Sequence, residues 1–240
     1  MMKKIYVSIA MGLMLWSQTA VAGDSPDVVP AVAAQIRANI PGLPIDAIRP
    51  APIDGLYELK VGGQLFYSDR TGEHLISSGH IFETKTRKDL TALRLQAINK
   101  IDWSTLPLKQ AIVSGDPKGL PVAVFTDPNC PYCKKLETEL KDAKGIKVYT
   151  FLFPLEAIHP TARAHAASIW CAKNKHEALL DVMLKGKTLP KGTCSTPIDA
   201  NEALARKLGI NGTPTMIAAD GRKFAGVKTA AGLKAWLEQK

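Results

Sequence analysis

The sequence predicts an α/β domain with a helical insertion, preceded by a small unit of one helix on an antiparallel sheet. Three observations predict it. Apolar and polar residues alternate over 56–67 around a Gly62-Gly63 pair. A strand, helix, strand order runs from 121 to 153, the pattern of a parallel crossover. Short apolar strands then return at 215–219 and 223–227, after a mostly helical stretch over 160–208. The 240 residues are 46% apolar and 22% charged, with 18 Gly and 16 Pro, which excludes collagenous, disordered and polytopic membrane classes. Length allows two modest cores, or one core with an appendage. No segment repeats with a period of roughly 20 to 50 residues, which argues against solenoids and propellers.

Residues 1–22 read as an export signal. Lys3 and Lys4 form a positive n-region, 5–16 an apolar h-region, and Ala20-Val21-Ala22 a small-residue cleavage site. A retained membrane helix needs about 20 apolar residues, and this run breaks at Ser17-Gln18-Thr19. Cleavage leaves 29 basic against 22 acidic residues, a net charge of +7. The basic residues are scattered, with no Arg-rich run and few aromatics among them, so the charge points to solubility and acidic partners rather than nucleic acid. Cys130, Cys133, Cys171 and Cys194 all lie in the exported portion, where disulfides persist. Four cysteines allow three full pairings.

Val28, Val32, Ala33, Ile36 and Ile40 recur at three and four residues, an amphipathic helix that Pro41-Gly42 ends. Tyr57, Leu59 and Val61, then Leu65 and Tyr67, alternate on either side of Gly62-Gly63, a β-hairpin. A turn at 69–72 leads to another strand expected near 74–84. This unit is marginal in size for independent stability, so burial against a partner subunit would help it. Thr86-x-x-Asp89 has the form of a capping box, and Leu90, Leu93, Ala97, Ile98 and Ile101 give a helical apolar face, so a connector helix is expected to end near Trp103. Beyond it, 121–125 reads as a buried strand and 126–129 as a turn. Tyr132, Leu136, Leu140 and Ala143 mark a helix that stops at Gly145, 147–153 is the next strand, and 229–240 is the last helix.

The chemistry is expected at Cys130-Pro131-Tyr132-Cys133. A Cys-x-x-Cys is a redox pair or half of a zinc site. Zinc calls for a second close pair, whereas Cys171 and Cys194 stand 23 residues apart. A purely structural disulfide over so short a loop would constrain the unfolded chain little. Cys130 falls where a strand's turn meets the first turn of a helix, whose free N–H groups and dipole favour a thiolate. It is the expected nucleophile. Pro131 suits the first helical position, and Cys133, one turn in, is the expected resolving thiol.

The run Phe125-Thr126-Asp127-Pro128-Asn129-Cys130-Pro131-Tyr132-Cys133 before a helix, with Gly212-Thr213-Pro214 before a late strand, resembles the thioredoxin superfamily. With the export signal, the small N-terminal unit, the connector and Ile169-Trp170-Cys171-Ala172-Lys173, the chain resembles the bacterial DsbC/DsbG family over nearly its whole mature length. The resemblance implies a cystatin-like α+β dimerisation domain over 23–85, a connector helix over 86–104 and a thioredoxin-like catalytic domain over 105–240. It also implies a periplasmic, V-shaped homodimer acting on misfolded exported proteins, with electrons from a membrane thiol reductase of the DsbD type and no cofactor or metal. In that family Pro214 would be a cis-proline, with Thr213 contacting the cysteine pair and substrate backbone, and Pro131 and Tyr132 supporting the site. Cys171 and Cys194 would form a structural disulfide. From the residues alone, Thr213-Pro214 could be an ordinary trans turn, since few X-Pro bonds are cis, and the later cysteines could be two inert buried thiols, although export favours the bond.

The Pro131-Tyr132 dipeptide departs from the Gly-Tyr usual in DsbC and matches DsbG, which lacks the second cysteine pair. The expected activity is disulfide isomerisation with associated chaperone action. A reductase of sulfenylated single cysteines and a thiol-independent dimeric chaperone are the alternatives. A dithiol oxidase is disfavoured, because dimerisation in this family shields the site from reoxidation. The five histidines, His159 among them, read as surface or loop residues, and Trp170, Met183, Leu184 and Trp236 as core. No Gly-rich phosphate loop or carboxylate pair stands out.

Overall fold

The computed structural model describes residues 28–239, so the export signal expected over 1–22 lies outside the described residues. Two compact units divide at Thr91/Ala92. Among the described residues no helix is long and apolar enough to cross a membrane.

The first unit begins with α1 (Pro30–Asn39), whose Val32, Ala33 and Ile36 face a four-stranded antiparallel sheet. The strands β1 (Ala47–Pro50), β2 (Leu56–Val61), β3 (Gln64–Asp69) and β4 (Leu75–Ile76) lie in that order. Ile48 and Leu59 complete the core against the helix stripe. Val61 pairs with Gln64, so Gly62 and Gly63 form a two-residue hairpin loop, with Gly62 at φ +57°. Ala47–Pro50 carries no alternation and is not legible as a strand from the sequence.

The region expected to hold one strand near 74–84 and a connector helix over 86–104 is built differently. Its strands are β4 and a separate hairpin of β5 (Phe82–Glu83) and β6 (Lys88–Asp89), and the helix α2 spans Leu90–Ile98. The helix begins at Leu90 and not after Thr86. The Thr86 hydroxyl donates to the Glu83 carboxylate across the hairpin turn, and Asp89 Oδ2 meets His80 Nδ1 at 2.6 Å. Strand pairing of Phe82 with Asp89 takes up the residues that a capping box would use. Within α2 only Thr91 is buried, where its hydroxyl joins Tyr67 Oη at 2.6 Å and accepts the Ile81 N–H.

The second unit holds a five-stranded mixed sheet. Its strands in chain order are β7 (Ile112–Gly115), β8 (Leu120–Thr126), β9 (Ile146–Leu152), β10 (Thr215–Ala218) and β11 (Lys223–Ala225), arranged as β11-β10-β8-β9-β7. β8 and β9 are parallel and joined by α3 (Pro131–Asp142); the other pairings are antiparallel. Central β8 is buried on both faces, and its side chains alternate between two cores as strand geometry requires. Val122 and Val124 pack with Leu136 and Leu140 of α3 and with Leu233 and Trp236 of α7 (Ala230–Glu238). Ala123 and Phe125 face the other way, onto Phe151, Phe153 and Ala205 of α6 (Ile198–Lys207), with Phe125 stacked on Phe151 at 4.9 Å. The insertion is α4 (Ala162–Cys171), α5 (Lys175–Lys185) and α6. Met183 and Trp236 are buried, while Trp170 and Leu184 lie half-buried against core.

Glu137, in α3 one turn beyond Cys133, is buried opposite α5. Its neighbour is His176, with Nε2 3.9 Å from Oε1, too far for a hydrogen bond. Burial pushes the carboxyl up from 4.5 to about 7 and the imidazole down, both toward neutral forms. Because the folded carboxyl holds its proton more tightly than the unfolded one, its contribution is full below about pH 4.5 and is lost as pH rises to about 7. That loss is on the order of 3 kcal/mol. Glu137→Gln should therefore flatten the fall in Tm between pH 5 and pH 8 by on the order of 5 to 10 °C in thermal melts. An unchanged pH dependence would show that the carboxyl is already solvated in the folded chain.

Candidate active site

β8 ends at Thr126, and its apolar run gives way to Asp127-Pro128-Asn129 and the N-terminus of α3. Cys130 is the N-cap residue, in extended backbone at φ −70° and ψ 124°, and Pro131 occupies the first helical turn, where a missing N–H costs nothing. The first intrahelical bond runs from Lys134 N–H to Cys130 O. The Cys130 sulfur therefore sits at the positive end of the α3 dipole. The two thiols are both free and differ in access, with Cys130 6% and Cys133 1% exposed. Tyr132 between them is 67% exposed.

Burial pushes the Cys133 thiol up to about 12, and negative charge on Cys130 adds to the effect. The Thr126 and Thr213 hydroxyls and the Asp127 N–H, 3.4 Å from the sulfur, pull the other way. Gly212-Thr213-Pro214 comes from 83 residues further along the chain to cover the pair. The Thr213–Pro214 bond is cis, and Cys130 Sγ lies 3.5 Å from the Thr213 carbonyl, to which its S–H can donate. Pro214 O accepts the Gly226 N–H and Thr215 starts β10, so the loop is anchored to the sheet on its far side.

A belt of polar residues that sequence reasoning did not single out surrounds the turn. Asp127 is fully buried, and its carboxylate faces Asn129 N–H, Leu155 N–H and His159 Nδ1. The Asn129 side chain bridges Thr161 Oγ1 and His165 Nδ1. His159 and His165 are thus structural partners of the cysteine turn, not free loop residues. Asp127 and Asn129 carried a local signal, being polar at the end of an all-apolar strand. Their partners, 28 to 36 residues away, carried none.

Cys171 and Cys194 form a disulfide with Cα atoms 5.7 Å apart, tying the end of α4 to the segment before α6. Beside it, Lys175 Nζ sits 4.8 Å from the Trp170 ring centroid. Among the described residues no group of three or more His, Cys, Asp or Glu is arranged to hold a metal ion. The arrangement suits thiol-disulfide exchange: one free sulfur at a helix N-terminus, a more deeply buried second sulfur one turn away, and a loop across both.

Comparison with known proteins agrees with this geometry. Residues 107–240 match the thioredoxin-like domain, and residues 19–92 match the N-terminal domain of disulfide bond isomerase proteins. The chain is 35% identical over 225 residues to the probable thiol:disulfide interchange protein DsbC of Bordetella avium, covering 93% of this chain and 79% of that one. It is 26% identical over 230 residues to DsbC of Escherichia coli, covering 95% of each. The crystal structure of a disulfide interchange protein from Neisseria gonorrhoeae superimposes with a TM-score of 0.52 at 34% identity, covering 56% of this chain and all of that one. With both units matched in the same order, this chain belongs to the DsbC family of thiol:disulfide interchange proteins, oxidoreductases built on the thioredoxin fold.

Proposed function

We propose that the protein is a periplasmic disulfide isomerase, exported by residues 1–22, that rearranges wrong disulfides in other exported proteins from a reduced Cys130–Cys133 pair. The observation that carries this reading is a free Cys130 at the α3 N-cap with the free Cys133 one turn further in and still more buried. The Cys130 thiolate attacks one sulfur of a substrate disulfide, forming a mixed disulfide and releasing a substrate thiolate. That thiolate attacks another disulfide sulfur, and when a substrate sulfur later displaces Cys130 the enzyme leaves unchanged and no net electrons have moved. If rearrangement stalls, Cys133 attacks Cys130 Sγ, its proton passes to the departing substrate sulfur, and the substrate disulfide has been reduced. The resulting Cys130–Cys133 disulfide needs two electrons and two protons from a membrane thiol reductase of the DsbD type. Thr213, Pro214, Pro131 and Tyr132 serve as supporting residues, with exposed Tyr132 offering apolar contact to unfolded substrate.

The N-terminal unit serves as the dimerisation domain in this reading, with chaperone action in the dimer. Its sheet ends at β4, a bare edge whose Leu75 and Ile76 are 42% and 44% exposed, an arrangement suited to pairing with a second copy. The Pro-Tyr dipeptide favours one second reading, a DsbG-like reductase of sulfenylated single cysteines, since residues between the cysteines tune thiolate chemistry.

Catalytic amounts of the pre-reduced mature chain should reactivate a scrambled multi-disulfide protein, and Cys130→Ala should return the rate to the uncatalysed level. Failure to reactivate, together with turnover of sulfenic acids, would favour the reductase. Cys133→Ala should accumulate a covalent substrate complex on non-reducing gels, and its absence with a reactive substrate would reverse the roles of the two thiols. Sedimentation should give a dimer, and Leu75→Lys with Ile76→Lys should yield monomers; a dimer that survives both changes would place the interface elsewhere.

A further inference from the structure

Asp127 holds the turn that presents Cys130, and nothing in the exchange steps uses its side chain. Its backbone reaches both sulfur-bearing residues, with Cys130 N–H donating to Asp127 O at 3.1 Å and Asp127 N–H donating to Cys133 Sγ at 3.4 Å. The carboxylate is 0% exposed. Oδ1 accepts Asn129 N–H at 2.7 Å, while Oδ2 accepts Leu155 N–H at 2.8 Å and meets His159 Nδ1 at 2.9 Å. A carboxylate only accepts, so Nδ1 is the nitrogen of His159 that carries the hydrogen. The Asn129 side chain donates to Thr161 Oγ1 at 2.8 Å and accepts from His165 Nδ1 at 2.7 Å, which latches the same turn to the start of α4. The His159 side chain is 20% exposed.

We propose that Asp127 and His159 form a positioning pair that sets the reduction potential of the Cys130–Cys133 couple. The inference rests on the reading that Cys130 reacts as a thiolate. A negative charge buried three residues before Cys130 opposes a thiolate there, with little water between them to screen it. The imidazole facing the carboxylate offsets it. The disulfide form carries no thiolate, so the charge acts on the reduced form alone and shifts the balance between the two. Removing the charge favours the reduced form and makes the couple more oxidising. Removing the imidazole does the reverse. A role confined to holding the fold would move both variants the same way, in step with stability.

The test equilibrates the full mature chain with glutathione buffers and reads the reduced fraction by acid quench and alkylation, with Tm measured in parallel. Asp127→Asn should shift the equilibrium constant about tenfold toward the reduced protein and His159→Ala about tenfold toward the disulfide, each about 30 mV for a two-electron couple. His159→Asn, which restores a donor nitrogen near the Nδ1 position, should return to within about threefold of the unmodified chain. Shifts below about threefold in both single variants, or shifts of one sign that track the fall in Tm, would overturn the pair's role. Should Asp127→Asn fail to fold, His159→Ala decides alone, and an unshifted potential there overturns it. The glutathione equilibrium reads the couple itself. Opposite shifts in a chain that fails to isomerise would reject the proposed function and keep the pair, whereas unshifted potentials in an active isomerase would reject the pair alone.

Discussion

The catalytic end of the molecule depends on one constraint, the burial of β8 on both faces. Val122 and Val124 are held by α3 and α7, and Ala123 and Phe125 by the aromatic cluster around Phe151. Slippage by one residue would exchange the two cores. With register set in this way, Thr126 and Asp127 arrive at one place, and the N-cap of α3, Cys130, falls three residues after Asp127. The position of Cys130 is a consequence of packing that lies entirely behind it.

Where a buried strand stops, its polar groups must still be satisfied. Asp127 meets that demand for several groups at once, taking the N–H of Asn129 and of Leu155 while its own N–H points at the Cys133 sulfur. Satisfaction of the backbone and placement of the sulfurs are therefore the same set of hydrogen bonds. The two thiols gain different chemistry from a single helical turn, since the N-cap position puts Cys130 at the positive end of α3 and the next turn buries Cys133 more completely.

Much of the fold is legible in periodicity. The stripe of Val32, Ala33 and Ile36, the hairpin at Gly62-Gly63 and the crossover of β8, α3 and β9 follow from spacing alone, because each pattern has one low-energy way to bury its apolar side chains. The segment from 74 to 104 is not legible in the same way. Thr86-x-x-Asp89 satisfies the capping-box pattern, yet Thr86 lies in the turn of a hairpin in which Phe82 pairs with Asp89, and the helix starts only at Leu90. The short strands Ala47–Pro50 and Ile112–Gly115 are equally silent, being defined by partners rather than by pattern.

The sequence by itself determined the two-unit order, the redox-type Cys130-x-x-Cys133 pair at a strand-to-helix turn, and the family the chain resembles. These are local, carried by residues within a turn or two of one another. Tertiary structure alone decided what surrounds the sulfurs: the cis Thr213–Pro214 loop laid over the pair, the bond between Cys171 and Cys194, and the buried carboxylate of Asp127 facing His159. Each joins residues more than 20 positions apart. Local spacing and propensity hold no information about which distant groups a folded sheet will bring within hydrogen-bond range, so the electrostatics of the site exist only once the chain has packed.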